Sequence, residues 1–211
     1  MLISDTHKFI FVHIRKSAGS SIRDSLEPIS LKKPSDPISK IKSRFLKIEK
    51  DYRKFAFRQH NDIMIAKKVL PPEVFDSYFK FAFVRNPWHR LVSEYEFIRR
   101  TPSHGRNSKV SKMEFKNYII YQSKRFDAHQ INMLADPSGK LQMDFVGKFE
   151  NLQEDWDYVV SKIGIATKPL SHRKKAGITD YNAYYTDETR QLVAELWKDD
   201  IMAFGYSNDS I

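Results

Sequence analysis

Apolar positions along this chain switch between two rhythms, one suited to buried strands and one to helices. Phe9-Ile10-Phe11-Val12 is an unbroken β-prone run. Such a run predicts a central parallel strand buried on both faces. Ile22 to Leu26 then begins a helix that Pro28 ends. Ile38, Ile41, Phe45 and Ile48 recur at helical spacing and predict an amphipathic helix within 32–54. Phe55-Ala56-Phe57 reads as a second short strand, after which Asn61-Asp62 opens a helix to Leu70. Past Pro71-Pro72 and a short turn, Phe79-Lys80-Phe81-Ala82-Phe83-Val84 is strongly β-prone. It runs into a helix with Asn86 as N-cap and Pro87 in the first position. Trp88, Leu91, Val92, Tyr95 and Ile98 form one apolar stripe of that helix, with Ser93 on another face.

The second half continues in the same way. Ser111 can cap a helix to about Tyr121, and 126–135 predicts another. Phe145 to Phe149 is strand-like and leads into a helix burying Trp156, Val159, Val160 and Ile163. Thr186 caps a last helix that turns Leu192, Val193, Leu196, Trp197 and Ile201 inward and ends at Gly205. Strands alternating with helices predict an α/β fold, here one domain over 1–211 without internal repeats.

Composition narrows the partners. The chain has 211 residues, 36 basic and 26 acidic, for a net charge of +10. A basic excess points to an anionic ligand, glycan, membrane surface or nucleic acid. No nucleic-acid reading motif accompanies it, so nucleic acid is not the expected partner. No apolar run approaches the roughly 18–20 residues of a membrane span, and no signal-peptide pattern precedes the first strand. A cytoplasmic location is expected, with peripheral membrane contact left open. There is no Cys, which excludes disulfides and thiolate zinc sites. Between 32 and 54 nine basic residues face three acidic ones. A solvated helix face accounts for them. The functional alternative is a rim that draws an acidic acceptor.

The chemistry is concentrated after the first strand. His13-Ile14-Arg15-Lys16-Ser17-Ala18-Gly19-Ser20-Ser21 links strand to helix through a short hydroxyl-rich loop. That geometry aims backbone N–H groups and a positive dipole end at an anion. A nucleoside-triphosphate loop reads G-x-x-x-x-G-K-[ST], whereas here Lys16 comes first. The loop resembles the 5′-phosphosulfate loop of sulfotransferases that use 3′-phosphoadenosine 5′-phosphosulfate (PAPS), in particular the carbohydrate sulfotransferase branch. That loop commonly reads H-I-P-K-[TS]-[AG]-[GS]-[TS]-[ST], so Arg15 departs from the usual Pro. About 70 residues on, Phe83-Val84-Arg85-Asn86-Pro87-Trp88-His89-Arg90-Leu91-Val92-Ser93-Glu94-Tyr95 is similar to the 3′-phosphate motif of the same family. Phe145-Val146-Gly147-Lys148-Phe149-Glu150-Asn151-Leu152 resembles a third family segment, F-x-x-[RK]-F-E-N-L.

The resemblance implies a three-layer α/β sandwich around a mainly parallel sheet, with a P-loop-like phosphosulfate loop. It implies PAPS as sulfuryl donor, PAP as product, and no metal. Lys16 would stabilise the leaving oxygen. Ser17, Ala18, Gly19, Ser20 and Ser21 would hold the 5′-phosphate, and Arg85 with Ser93 the 3′-phosphate. Arg173 and Lys174, in a basic loop over 171–177, match loosely the late loop that closes the nucleotide site in this family. His60, placed where a predicted strand meets a helix, corresponds to the family's general base; Glu94 and Glu150 stand behind it. The acceptor would be a hydroxyl on a glycan or small molecule. Two other readings remain at this level: a nucleotide kinase, and a non-catalytic basic protein that binds glycan or nucleic acid.

Overall fold

A computed structural model describes residues 1–32, 34, 51–166, 169–170 and 180–207. The predicted amphipathic helix over 32–54 falls mostly outside these, as do Arg173 and Lys174. Four strands form one sheet in the order β1-β2-β3-β4: β1 Leu2–Ser4, β2 Phe9–Val12, β3 Phe79–Val84 and β4 Phe145–Lys148. β2, β3 and β4 run parallel, while β1 pairs antiparallel with β2. The sheet is therefore mixed, parallel from β2 through β4 with β1 as an antiparallel edge.

Ten α-helices among the described residues complete the fold. They are α1 Gly19–Leu26, α2 Ile63–Val69, α3 Pro72–Ser77, α4 Pro87–Arg99 and α5 Asn107–Val110. Next come α6 Phe115–Ser123, α7 Gln130–Leu134, α8 Leu152–Ile163, α9 Asp187–Leu196 and α10 Lys198–Phe204.

Period-two alternation along β2 and β3 divides the core in two. Ile10, Val12, Ala82 and Val84 pack with Ile63, Ala66 and Val69 of α2 and Leu134 of α7. Phe9, Phe11, Phe81 and Phe83 pack on the other side with Ile22 and Leu26 of α1 and Trp156, Val159 and Val160 of α8. Helices thus cover both faces, which explains why β2 is apolar throughout. The Phe11 and Phe81 rings stack at 5.2 Å between centroids across the β2–β3 pair. A third cluster joins Trp88, Leu91, Val92 and Tyr95 of α4 to Tyr118, Val193 and Trp197.

Several local expectations change. Phe55 and Phe57 are buried but belong to no strand; their rings meet edge to face at 4.8 Å. Alternating aromatics there fill core space without a ladder partner. Ser111 ends α5 rather than opening a helix, and the next helix starts at Phe115. The 126–135 segment divides into a short 3₁₀ turn, Phe126–Ala128, and α7. Trp197 separates the final helix into α9 and α10. Thr186 does cap α9, in a reciprocal arrangement with Thr189.

Candidate active site

Parallel strands open their carboxyl ends toward the loops that follow them, where ligands of α/β proteins collect. Two such loops meet here. After β2 the backbone takes left-handed conformations at Lys16 (φ 63°) and Ala18 (φ 59°), neither of which is glycine. Left-handed non-glycine residues carry a steric cost, so the surrounding structure holds this loop in shape. Gly19 opens α1 against the ring of His13. A Cβ at this position would stand 2.1 Å from His13 Cδ2, so only a hydrogen fits. No side chain caps α1, which leaves its amino end to an external acceptor. Ser17 and Ser21 are buried, Ser20 is exposed, and the Ser17 Oγ is buried without a hydrogen-bond partner.

Arg85 occupies the corresponding position after β3. Gln130 clamps its peptide from both sides: Arg85 N–H donates to Gln130 Oε1 and Gln130 Nε2 donates to Arg85 O, each at 2.9 Å. Asn86 caps α4 by accepting from the N–H groups of Trp88 and His89, and its own N–H donates to Glu150 Oε1 at 2.9 Å. The Arg85 guanidinium lies 4.0 Å from the centroid of the Phe149 ring. Its Nη2 donates to the Tyr181 hydroxyl at 2.8 Å, and its Nη1 to the Lys16 carbonyl at 3.3 Å. Nε is buried with no partner. A charged donor that is only 6% exposed yet incompletely bonded suits an anion. Ser93 lies buried in α4. The ammonium of Lys16 stands 4.3 Å from the centroid of Phe97, at the far end of the same helix.

His60 lies in the segment leading to α2, beside the end of β2. Its Nδ1 is 3.0 Å from the carbonyl oxygen of His13. A carbonyl only accepts, so Nδ1 carries the proton and Nε2 keeps its lone pair. The two imidazoles meet edge to face at 4.8 Å. Burial lowers the pKa of His60 from 6.5 to about 4; its bond to His13 opposes that shift, and Arg15 adds to it. At neutral pH the ring is an uncharged acceptor. His13 is more deeply buried and pushed down further, again by burial first and by His60 second. Its Nδ1 faces Gln59 Nε2 at 3.2 Å. His13 thus separates His60 from Gly19, tying that segment to the start of α1.

Both reserve carboxylates are engaged elsewhere. Glu94 is paired with Arg106 at 2.6 Å and accepts from Gln122 at 3.0 Å. Glu150 accepts from Asn86 and from the Tyr206 hydroxyl.

The structure therefore gathers Lys16, Ser17, Gly19 and Arg85 around one loop junction, with His60 joined to it through His13. Sequence reasoning did not reach Gln130, Phe149 or Tyr181. Phe149 lay inside a recognised segment and was legible there. Gln130 and Tyr181 belong to no motif, and only the folded chain brings them to Arg85.

Comparisons with known proteins agree with this architecture. A family model described as the sulfotransferase family matches residues 1–207. Carbohydrate sulfotransferase 14 of Danio rerio is 26% identical over 192 residues, covering 78% of this chain and 48% of the relative. Carbohydrate sulfotransferase 11 of Mus musculus is 27% identical over 168 residues, covering 62% of this chain and 47% of its own length. The chain thus spans about half the length of these curated relatives. A mouse sulfotransferase crystallised with PAP shares the fold at a TM-score of 0.58 and 16% identity, over 94% of this chain and 86% of that one. Among the described residues, no helix is long and apolar enough to cross a membrane. With a family match that runs from the first residue to 207, the chain belongs to the sulfotransferase family.

Proposed function

We propose that this chain, as one domain, transfers a sulfuryl group from PAPS to an acceptor hydroxyl, on a carbohydrate. The observation that carries the reading is the Arg85–Lys16 junction. It brings two loops suited to anions together at the carboxyl end of parallel strands. Two phosphate groups at the 3′ and 5′ positions of one ribose are the ligand that such a pair fits. The buried, unpartnered Ser17 Oγ and Arg85 Nε supply donors of the right kind on each side. The carbohydrate acceptor is suggested by the names of the relatives.

PAPS supplies an activated sulfuryl group whose departure leaves charge on a phosphate oxygen. Residues of the loop meet that charge: Lys16 through its ammonium, and Ser17 to Ser21 through hydroxyls and the amino end of α1. Arg85, with Ser93, holds the 3′-phosphate, and Tyr181 and Phe149 fix the guanidinium in place. His60 accepts the acceptor's proton at Nε2 while Nδ1–H remains bonded to the His13 carbonyl. Its low basicity gives a ring that is unprotonated before reaction.

The test is transfer of labelled sulfate from PAPS to a panel of oligosaccharides and simple phenols without added metal. Labelled product on at least one sugar, lost in the Lys16→Ala and His60→Ala proteins, is expected. Phosphate transfer from ATP with magnesium, and no sulfate transfer, would overturn the reading.

A further inference from the structure

The peptides of Arg85 and Asn86 are supported from two directions, and both supports lead back to α10 and the residues just after it. On one side Gln130 clamps the Arg85 peptide through paired bonds of 2.9 Å. Gln130 is itself held by Asp200 of α10. Asp200 Oδ2 accepts from the Gln130 N–H at 2.9 Å, and Oδ1 accepts from the Ile131 N–H at 2.8 Å. Trp197, one position before α10, donates from Nε1 to the Ala128 carbonyl at 3.0 Å and so grips the turn leading into α7. On the other side Glu150 accepts from the Asn86 N–H at 2.9 Å, and its second oxygen accepts from the Tyr206 hydroxyl at 3.1 Å.

Asp200 and Gln130 are both 0% exposed. A buried carboxylate is costly unless its oxygens are bonded, and a local N-cap would serve α7 without one. His129 stands at that cap and makes no such bond. The acceptor comes instead from 70 residues away. A distant carboxylate adds what a local cap lacks: it fixes α7, and with it the Gln130 amide, relative to the carboxyl end of β3. Tyr181 and Phe149 hold the tip of the Arg85 side chain. The two supports from α10 hold its base.

We propose that Asp200 and Tyr206 are positioning residues for the 3′-phosphate. Through Gln130 and Glu150 they set the Arg85–Asn86 backbone, and so the direction of the guanidinium. They act on the nucleotide only through Arg85. This role rests on the 3′-phosphate contact of Arg85 proposed above.

The experiment is calorimetric titration of the full chain with PAP and with AMP, which lacks the 3′-phosphate. Wild type is compared with Asp200→Asn, Gln130→Glu and Tyr206→Phe, each alone and combined with Arg85→Ala. Asp200→Asn leaves one acceptor for two N–H groups, and Gln130→Glu keeps the acceptor of the clamp without its donor. The preference for PAP over AMP should fall about tenfold in these two and about threefold in Tyr206→Phe, with AMP affinity unchanged. In the Arg85→Ala background none of them should lower the preference further, because the role runs through that side chain. Tyr206→Phe removes one hydroxyl from a half-buried ring and carries the test if the buried substitutions prevent folding. Equal losses for PAP and AMP, an unaltered preference in the folded variants, or a further loss in the Arg85→Ala background would overturn the positioning role. Wild type binding PAP no better than AMP would instead overturn the 3′-phosphate reading itself.

Discussion

The guanidinium of Arg85 donates from Nη1 to the carbonyl oxygen of Lys16 at 3.3 Å, joining segments 69 residues apart in sequence. Arg85 follows β3 and Lys16 follows β2, and these strands are neighbours in register, with Val12 beside Ala82. Parallel pairing therefore sets the two loops side by side. Arg85 is expected to serve both as a structural tie and as a ligand for phosphate.

Arg85→Ala should weaken PAP binding by about 1.5–3 kcal/mol, the range for a hydrogen bond to a charged group. Arg99→Ala is the control. That side chain sits at the end of α4, 43% exposed and paired with Glu96. Calorimetry should find it binding PAP as wild type does. Equal affinities in the two variants would remove Arg85 from the site.

Tyr181→Phe tests the outer support of the same guanidinium. The hydroxyl accepts from Arg85 Nη2 at 2.8 Å, while the ring, which is kept in the variant, also lies tilted against His89 at 4.5 Å between centroids. PAP affinity should fall by about 0.5–1.5 kcal/mol, with AMP, which lacks the 3′-phosphate, bound unchanged. An equal loss for both nucleotides would place the tyrosine elsewhere in the site.

Gly19→Ala should disturb both halves of the site. The added methyl would meet the His13 ring at 2.1 and 2.2 Å, and that ring is confined by Gln59 and His60. Overpacking of this kind costs about 1–3 kcal/mol. A lower melting temperature and weaker PAP binding are expected together. A variant with wild-type stability would show that His13 moves freely.

How much of this was legible in the chain depended on where each contact comes from. The apolar run Phe9 to Val12 and the Asn86-Pro87 start of α4 follow local rules, and both stand as predicted. The strand Leu2–Ser4 is three residues long and gave too little periodicity to register. Phe55 and Phe57 carried a strand pattern because alternating aromatics bury equally well as a loop against the core. Lys16, Ser17 and Arg85 were marked by motif. Their neighbours Gln130 and Tyr181 arrive from distant segments and have no local signature.

Acid should act on this protein through His60. Its pKa is depressed from 6.5 to about 4, chiefly by burial, so the unfolded chain takes up the proton first. The neutral ring's contribution to stability is complete above about pH 6.5 and is lost as pH falls toward 4. The melting temperature of wild type should decline more steeply across that window than that of His60→Asn. His13, depressed further, adds to the same trend in both proteins. Identical slopes would contradict the buried neutral state.

The same ring should govern the rate. His60→Ala is expected to lower turnover by about 10²- to 10⁴-fold while leaving PAP affinity close to wild type. The acid limb of kcat/KM should lie below the ordinary histidine range, because the free enzyme's ring resists protonation. A limb centred at pH 6.5 and kept in the His60→Ala protein would assign the base to another group.

One site is expected to take a nucleotide with phosphate at both its 3′ and 5′ positions. Calorimetric titration with PAP, AMP and ATP, with and without magnesium, tests it most directly. PAP should bind tightly without metal, and at about 100 times its dissociation constant should add roughly 2.7 kcal/mol of stability. AMP and ATP, which lack the 3′-phosphate, should bind at least tenfold more weakly, the difference worth about 1.4 kcal/mol. Equal binding of PAP and AMP, or a requirement for magnesium, would contradict the account.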